Sequence, residues 1–384
     1  MGDGAPRARL LSIGSELLAG ETIDSNAAFL AGRLVGLGIE LVGVWELPDE
    51  RETIARAFDD ALASVEAVLA TGGLGPTHDD LTREGLADAL GETLTPDPAL
   101  EEQLRERFGR IGRMPPSNLR QALLIPSAEA LPNPIGSAPG WWVDRDDRVM
   151  ALMPGVPSEM RRMFDEQVAP RLATRFGATP LAVRTVKTYG IGESALAEML
   201  GSLLEEPGQG VTAGIYARDD GVHLRFSTRG AAADLEAPVA HCRATLGDAI
   251  WGHDGDHLPE VALAALGTAG AATVASWEAD TQGALLTALA GAQARDGSAT
   301  FVGGTLDAGG ATTAPLADAV IQLSLLPEDG HGRSRVRVAV SGAVQMAQVE
   351  VRIHGSGDQR LRRAAFAALD QVRRSVSPNR AQYP

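Results

Sequence analysis

The sequence predicts an α/β protein whose N-terminal domain is built around a parallel β-sheet. In the first half of the chain, short apolar runs alternate with segments whose apolar residues recur at intervals of three and four, which is typical of alternating strands and helices. With 384 residues, of which 44% are hydrophobic, the chain is long enough for two or three domains, each with its own core. Ligands bind at the carboxyl ends of the strands in such sheets, so the turns after the strands are the expected site of function.

Each element of the first half is predicted from the period of its apolar residues. Runs too short for a helix predict strands, and apolar stripes at helical spacing predict helices, the first of which ends at Gly38. Pro157 suits the first turn of a helix because its missing N–H costs nothing there, and that helix N-terminus is a candidate anion site. The predicted strands are residues 10–13, 39–47, 65–70 and 149–153, and the predicted helices are residues 27–37, residues 54–62 and the segment after Pro157.

The second half predicts a smaller α+β unit followed by a third part rich in alanine and glycine. The clearest element is a hairpin, in which Asp220-Gly221 supplies the positive φ that tight turns require. The predicted strands are residues 184–188, 211–216, 222–227, 273–276, 335–341 and 348–354, the predicted helices are residues 193–204, 234–246, 259–266, 284–290 and 361–372, and residues 303–313 form a small-residue loop. The predicted domains are residues 1–172, 173–252 and 257–374, with an expected disordered tail at 375–384.

Composition and charge narrow the class of function. A net charge of −16 and an isoelectric point near 4.9 oppose a nucleic-acid partner, which requires a basic face. The single cysteine, Cys242, excludes an internal disulfide and is typical of a reducing cytosol. We find no apolar stretch near the N-terminus long enough for a signal peptide or a membrane span, and the seven histidines lack zinc-ligand spacing. We therefore expect a cytoplasmic protein with no membrane partner.

The most informative segment is residues 71–82, where a glycine-rich loop follows the predicted strand at 65–70. Gly72, Gly73 and Gly75 lack side chains, so their backbone N–H groups can approach a phosphate closely. Asp79 and Asp80 follow, and two adjacent carboxylates are oxygen ligands suited to a hard divalent cation that would neutralise the phosphate. The loop therefore predicts a phosphate and metal site, although a glycine-rich turn with only a structural role stays open.

Five segments, in this order, resemble the signatures of the CinA-like (competence and damage-inducible) proteins over nearly the whole chain. They are residues 14–20 with Asp24 and Asn26 following, residues 71–82, residues 133–140, residues 154–160 and residues 190–194. The resemblance implies an N-terminal domain with the MoaB/Mog-like molybdopterin-binding fold, a KH-like middle domain and a C-terminal domain like a nicotinamide-nucleotide amidase. It also implies a homodimer.

In that family the first domain is associated with metal-dependent ADP-ribose pyrophosphatase activity, which gives AMP and ribose 5-phosphate. The resemblance thus implies catalytic roles for Asp80 and Glu16, and a divalent ion (Mg, Mn or Co) held by Asp79, Asp80 and Asp24. The alternative for Asp24, an N-cap of the following helix, stays open. The residues assigned to phosphate or nucleotide binding are Gly72, Gly73, Gly75, Thr77, Asn26, Gly155 and Pro157.

The C-terminal part departs from the family. The amidase signature Ala-Glu-Ser-Cys-Thr-Gly-Gly corresponds to residues 277–283, which place Ala279 where the serine nucleophile stands, and a methyl group cannot form an acyl intermediate. The family's activating lysine is missing too, since no lysine follows Lys187, and residues 324–330 replace a family loop. These departures predict a catalytically silent domain kept for packing or dimerisation.

Two other readings of the chain stay open at this stage. The first domain could be a non-catalytic module that binds a pterin or nucleotide, with the remainder making protein contacts in competence or the response to DNA damage. Nucleic-acid binding by the KH-like part is the weakest hypothesis, because its glycine turn, residues 190–193, ends in a glutamate. Trp141 and Trp142 predict a core or interface anchor, with stacking on adenine as the alternative.

Overall fold

The computed structural model describes residues 5–109, 112–177, 179–307, 316–328 and 334–376. The chain divides into two compact units, residues 1–181 and 182–384. The first unit extends beyond the predicted boundary at residue 172, because that residue lies inside a helix, Ala169–Phe176. Within the described parts of the chain, every helix is too short or too polar to cross a lipid bilayer.

The first unit alternates strands and helices, as the sequence predicts. Its elements are β1 (Arg7–Ile13), α1 (Ser15–Leu18), α2 (Ser25–Gly36), β2 (Glu40–Leu47), α3 (Arg51–Leu62), β3 (Ala67–Thr71), α4 (Thr82–Leu90), β4 (Thr95–Pro96), α5 (Pro98–Gly109), β5 (Leu123–Leu124), β6 (Ala128–Leu131), β7 (Gly140–Arg145), β8 (Arg148–Met153), α6 (Pro157–Met163) and α7 (Ala169–Phe176).

The main sheet of this unit has six strands in the order β2-β1-β3-β8-β7-β6. Strands β2, β1, β3 and β8 are parallel, which confirms the predicted α/β class, whereas β7 is antiparallel to both of its neighbours and makes the sheet mixed. The sequence analysis missed β7. Its Trp141 and Trp142 are 0% and 8% exposed and lie in the cores on opposite faces of the sheet. Because both rings are buried, the stacking alternative for this pair is wrong.

The second unit carries two further sheets. Its elements are β9 (Ala182–Thr188), α8 (Glu193–Met199), α9 (Gly201–Glu205), β10 (Val211–Arg218), β11 (Gly221–Thr228), α10 (Glu236–Leu246), β12 (Ile250–His253), α11 (Leu258–Thr268), β13 (Thr273–Ala279), α12 (Ala284–Ala290), β14 (Thr300–Asp307), β15 (Ala319–Leu326), β16 (Ser334–Gly342), β17 (Met346–Ile353) and α13 (Gly357–Val376).

The first of these sheets is antiparallel throughout, in the order β10-β11-β9-β12. Arg218 pairs with Gly221 across the β10–β11 hairpin, so the turn is at the predicted place. The second sheet has the order β14-β13-β15-β16-β17, with β14, β13 and β15 parallel. Helix α13 joins the two sheets into one unit: the Arg374 Nη2 donates to the Tyr189 carbonyl at 2.9 Å, and Arg362 pairs with Asp219 at 2.8 Å.

Four sequence predictions in this unit need correction. The predicted helix 193–204 is interrupted at Leu200, where φ is −117°. Residues 303–307 of the predicted loop belong to β14, and residues 308–313 lie outside the described residues. Residues 324–326 end strand β15, which the sequence analysis missed. The last helix runs to Val376, so the first residues of the predicted tail are helical, and residues 377–384 lie outside the described residues.

Candidate functional site

A cleft of about 460 Å³ opens in the first unit where β1, β3 and β8 end. This is the edge at which a parallel sheet gathers ligand-binding turns, and four of the five signature segments, residues 14–20, 71–82, 133–140 and 154–160, meet there. The residues that line the cleft are Ile13, Gly14, Glu16, Asp49, Gly72, Gly73, Leu74, Gly75, Pro76, Thr77, Asp79, Asp80, Gln121, Ser137, Ala138, Pro154, Gly155, Val156 and Glu159.

The glycine loop after β3 lies directly against the end of β1. Gly72 has a φ of +93°, and a Cβ added there would overlap the carbonyl oxygen of Ile13. Gly73 has a φ of +63°, and its Cβ would overlap the Thr82 hydroxyl. Both positions therefore require glycine for backbone conformation and for close packing. The Gly72 N–H donates to the Met153 carbonyl at 3.1 Å and so ties the loop to the end of β8.

Asp80 organises this loop with both carboxylate oxygens. Its Oδ1 accepts from the Gly75 N–H at 2.7 Å, and its Oδ2 accepts from the Thr77 N–H at 2.7 Å and from the Thr77 hydroxyl at 2.5 Å. Three predicted phosphate donors, the N–H groups of Gly72, Gly75 and Thr77, are thus used inside the protein. Among the predicted loop glycines, Gly73 keeps an N–H with no hydrogen-bond partner in the described residues.

Two arginines that sequence reasoning missed hold the loop from behind. The Arg120 Nη1 donates to the Thr77 carbonyl at 2.6 Å, and its Nη2 donates to the Asp80 carbonyl at 3.3 Å. Arg83 is 2% exposed and donates to the carbonyls of Leu74, at 2.9 Å, and Pro139, at 3.3 Å. Burial lowers the pKa of Arg83 to about 10, which leaves it protonated at neutral pH. Their contacts are tertiary, and the sequence carries no local signal for them.

Carboxylates dominate the wall of the cleft. The predicted Glu16 is exposed there, and its carboxylate has no hydrogen-bond or ion-pair partner among the described residues. The predicted Asp79 accepts from the Thr77 hydroxyl, and this hydrogen bond holds the pKa of Asp79 below its usual value. Three predicted carboxylates therefore line the cleft: Glu16, Asp79 and Asp80.

Two more carboxylates were missed by sequence reasoning. The Asp49 Oδ2 accepts from the N–H and the hydroxyl of Ser15, at 2.8 and 2.9 Å. The Glu159 Oε2 accepts from the Asn133 Nδ2 at 2.7 Å. Signals existed, since Asp49 follows the predicted strand 39–47 and Glu159 lies two residues after Pro157. Five carboxylates therefore line the cleft, and none of its lining residues is a lysine or an arginine.

Three predicted site residues lie outside the lining. Asp24 is the N-cap of α2: its Oδ1 accepts from the Ala27 N–H at 2.9 Å, and its Oδ2 accepts from the Ser12 hydroxyl at 2.5 Å. The capping alternative is the one that the structure contains, so Asp24 is no longer a candidate metal ligand. Asn26 donates from Nδ2 to the Gly155 carbonyl at 2.8 Å and thereby positions the segment that lines the cleft. Pro157 begins α6, as predicted, while Gly155 itself lines the cleft.

The cleft suits a metal ion that is coordinated mainly by water and phosphate oxygens and by only one or two protein carboxylates. Within the described residues, no three acidic, histidine or cysteine side chains converge closely enough to hold an ion by themselves. The available donors are carboxylate oxygens, which Mg²⁺ and Mn²⁺ prefer to nitrogen or sulfur. Mg²⁺ commonly takes one or two carboxylates and completes its shell with water and phosphate oxygens, and the donors of this cleft fit that pattern.

Ala279, which the sequence analysis aligned with the nucleophile of an amidase signature, lies in the second unit. Ala279 is the last residue of β13, and the turn after it has positive φ at Asp280 and Gln282, 59° and 53°. Glu278 is 1% exposed and accepts from the Thr281 hydroxyl at 2.7 Å and from the first N–H groups of α12. The nearby Thr281 hydroxyl is therefore buried and bound to Glu278.

Two protein families match separate parts of the chain. Residues 9–174 match a family described as "Probable molybdopterin binding domain", and residues 183–252 match "Damage-inducible protein CinA KH domain". Both matches confirm the folds predicted for these parts of the chain.

Three relatives, all described as CinA-like proteins, align with long parts of the chain. One from Thermomicrobium roseum is 45% identical over 267 residues, which are 68% of this chain and 65% of the relative. One from Deinococcus deserti is 46% identical over 290 residues, 74% of this chain and 70% of the relative. One from Parasynechococcus marenigrum is 39% identical over 352 residues, 89% of this chain and 80% of the relative.

Two solved structures each align with less than half of the chain. The protein CinA with unknown function from Thermoplasma acidophilum aligns with 43% of this chain and 98% of its own, at 32% identity and a TM-score of 0.42. The molybdopterin biosynthesis enzyme MoaB from Thermus thermophilus aligns with 45% of this chain and 97% of its own, at 21% identity and a TM-score of 0.31.

Proposed function

The chain belongs to the CinA-like family, and we propose that its first unit binds ADP-ribose, or a related dinucleotide, and hydrolyses the pyrophosphate in a reaction that needs a divalent metal ion. The products are AMP and ribose 5-phosphate. One observation carries the proposal: the cleft at the strand ends is lined by five carboxylates and by no lysine or arginine.

The charge of the cleft sets the requirement for a cation. A pyrophosphate is itself anionic, and each pair of like unit charges about 4 Å apart repels by about 4 kcal/mol at the effective dielectric near a protein surface. A divalent ion held by Glu16, Asp49 or Glu159 would offset this repulsion. When bound, it supplies a Lewis acid that takes up charge on the oxygen of the breaking bond.

Residues of the chain supply the proton acceptor, the metal ligands and the hydrogen-bond donor to phosphate. Glu16 has a free carboxylate in the cleft, so it accepts a proton from the attacking water or helps to hold the ion. The second oxygens of Asp49 and Glu159 have no hydrogen bond in the described residues and are further candidates to hold the ion. The Gly73 N–H remains as a donor to phosphate, and Asp80 keeps the loop in the shape that presents it.

Product analysis tests this proposal. The purified chain is incubated with ADP-ribose, with and without Mg²⁺ or Mn²⁺, and AMP is quantified for the wild type, Glu16→Gln and the control Asp60→Asn. Asp60 is an exposed carboxylate on α3, outside the cleft. We expect AMP only with metal, a loss of about 100-fold for Glu16→Gln as for other general bases, and no change for the control. Absence of AMP with every metal would refute the hydrolase.

A second function, binding without turnover, is favoured by two observations. The described residues contain no preformed set of three metal ligands, and several loop N–H groups are used internally. On this alternative the first unit holds a pterin or nucleotide, and the chain acts through protein contacts. Saturable binding of the nucleotide with no AMP formed would select it over the hydrolase.

We further propose that the sheet β14-β13-β15-β16-β17 belongs to an amidase-like domain that is catalytically silent. Support comes from Ala279 at the nucleophile position and from the absence of any lysine after Lys187. The purified chain should release no ammonia from nicotinamide mononucleotide, whereas steady release above a heat-denatured sample would contradict the proposal.

A further inference from the structure

A second, smaller cavity lies beside the cleft in the first unit. This side slot has a volume of about 120 Å³ and lies between α5 and residues 132–139. The residues that matter here are Leu100, Leu104, Arg107, Pro132, Ser137 and Pro139.

The slot and the cleft share a wall. Ser137 lines both cavities. Asn133, which lines the slot, donates from Nδ2 to the Oε2 of Glu159, which lines the cleft, at 2.7 Å. The two cavities are therefore adjacent, and a ligand that extends past Ser137 would contact residues of both.

The chemistry of the two spaces is complementary. The cleft is lined by five carboxylates and no cation, whereas the slot is lined by one guanidinium, that of Arg107, and by no carboxylate. Arg107 forms no ion pair in the described residues; its Nη1 donates to the carbonyls of Asn133 and Pro134 at 3.2 and 3.4 Å. Its Nε and Nη2 have no hydrogen-bond partner there, so part of this guanidinium is free to meet a ligand.

The size and walls of the slot indicate a flat ring. The slot, at about 120 Å³, is smaller than the apolar cavity of about 150 Å³ that binds benzene, so it takes the edge of a ring system whose remainder projects towards the cleft. Two leucines and two prolines supply apolar faces, and a guanidinium stacks on aromatic rings. We propose that the side slot binds the heterocycle, a purine or a pterin, of the same ligand whose phosphates lie in the cleft. This inference rests on the proposed phosphate site.

Binding of two non-hydrolysable diphosphates tests the inference. α,β-Methylene-ADP and methylenediphosphonate share one phosphate mimic and differ only in the adenosine, and both are titrated calorimetrically into the full chain with saturating Mg²⁺. Arg107→Ala removes the guanidinium of the slot. Arg105→Ala removes one positive charge from the same helix, where Arg105 pairs with Glu101 and does not line the slot. Arg107→Lys keeps the charge without the planar face and guards against a folding defect in the alanine variant.

We expect the wild type to bind methylene-ADP at least tenfold more tightly than methylenediphosphonate. Arg107→Ala should weaken methylene-ADP by about tenfold, the upper range of a cation–π contact, and leave methylenediphosphonate unchanged. Arg107→Lys should lose part of this difference, and Arg105→Ala should lose none. A phosphorylated pterin is titrated in parallel, and the compound whose binding depends on Arg107 identifies the heterocycle as purine or pterin.

The failures are distinguishable. If methylenediphosphonate binds but neither the adenosine nor the pterin adds affinity, or if Arg107→Ala weakens all ligands equally, the slot proposal is overturned while the phosphate site stands. If the wild type binds no diphosphate with Mg²⁺, the proposed function and the slot proposal both fail.

Discussion

Removing the Asp80 carboxylate should release the glycine loop while leaving the rest of the unit folded. In Asp80→Ala, the N–H groups of Gly75 and Thr77 lose their acceptor, whereas the Thr77 hydroxyl keeps Asp79 as an acceptor. Hydrogen bonds to a charged group contribute about 1.5–3 kcal/mol each when buried, and we discount the sum to about 1.5 kcal/mol because this loop is partly exposed. Since Arg83 and Arg120 still bind the loop carbonyls, the effect should be local.

Hydrogen exchange measures this release directly. A loss of about 1.5 kcal/mol in local stability corresponds to roughly tenfold faster exchange of the Gly75 and Thr77 amides. The matched control is Asp79→Asn, because the Asp79 carboxylate accepts from the Thr77 hydroxyl and not from the Gly75 or Thr77 amide, so this variant should leave both amides protected. Unchanged amide protection in Asp80→Ala, together with weaker binding of Mg²⁺, would refute the positioning role and make Asp80 a metal ligand instead.

Three further predictions concern folding, pH and the second unit. Gly72→Ala should cost about 2–4 kcal/mol in urea unfolding, because its Cβ overlaps a backbone carbonyl at positive φ, whereas Gly91→Ala, at a positive φ with open space around it, should cost only about 1 kcal/mol. Burial raises the pKa of Glu92, but hydrogen bonds from the Ser127 N–H and from Arg145 outweigh burial, so the net pKa lies below the usual value. The stabilisation by ionised Glu92 is therefore present above about pH 4.5 and is lost as the pH falls further. The melting temperature of the wild type should exceed that of Glu92→Gln at pH 5, and this difference should shrink towards pH 3. Ala279→Ser should release no ammonia from nicotinamide mononucleotide, because the activating lysine is absent as well, and recovery of activity would show that the rest of that site is intact.

The sequence reveals strands β1, β3 and β8 because they are buried on both faces over most of their length and their apolar runs are continuous. Strand β3, Ala67–Thr71, is buried at every position. The glycine loop was identified because it follows this apolar run directly. Strand β7 escaped because it lies between the proline-rich residues 132–139 and a two-residue turn, and its paired tryptophans suggested an anchor in a loop.

Within the site, sequence reasoning found the residues that are close in the chain and missed those that the fold brings in. Glu16, Asp79 and Asp80 were found from local motifs. The positioning role of Asp80 was not predicted, because a carboxylate beside glycines suggests metal binding as readily as it suggests capping of loop N–H groups. Arg83 and Arg120 act on carbonyls that belong to other segments, and such contacts exist only after the sheet has formed.

The placement of charge explains why a cation should bind before the nucleotide. The two arginines nearest the glycine loop lie behind it and donate to its carbonyl oxygens, so their hydrogen-bonding groups face the scaffold. The loop N–H groups that a phosphate would otherwise use are bound by Asp80 and by Met153. What remains towards the cleft is mainly carboxylate, and an anion gains little there until a divalent ion has changed the sign of the local field. On the proposed function, nucleotide affinity should therefore rise with Mg²⁺ concentration until the ion site is filled, and Mg²⁺ alone should bind detectably. Equally strong nucleotide binding in the presence of a chelator would contradict this order of binding, because it would require a positive group other than a metal ion to contact the phosphates.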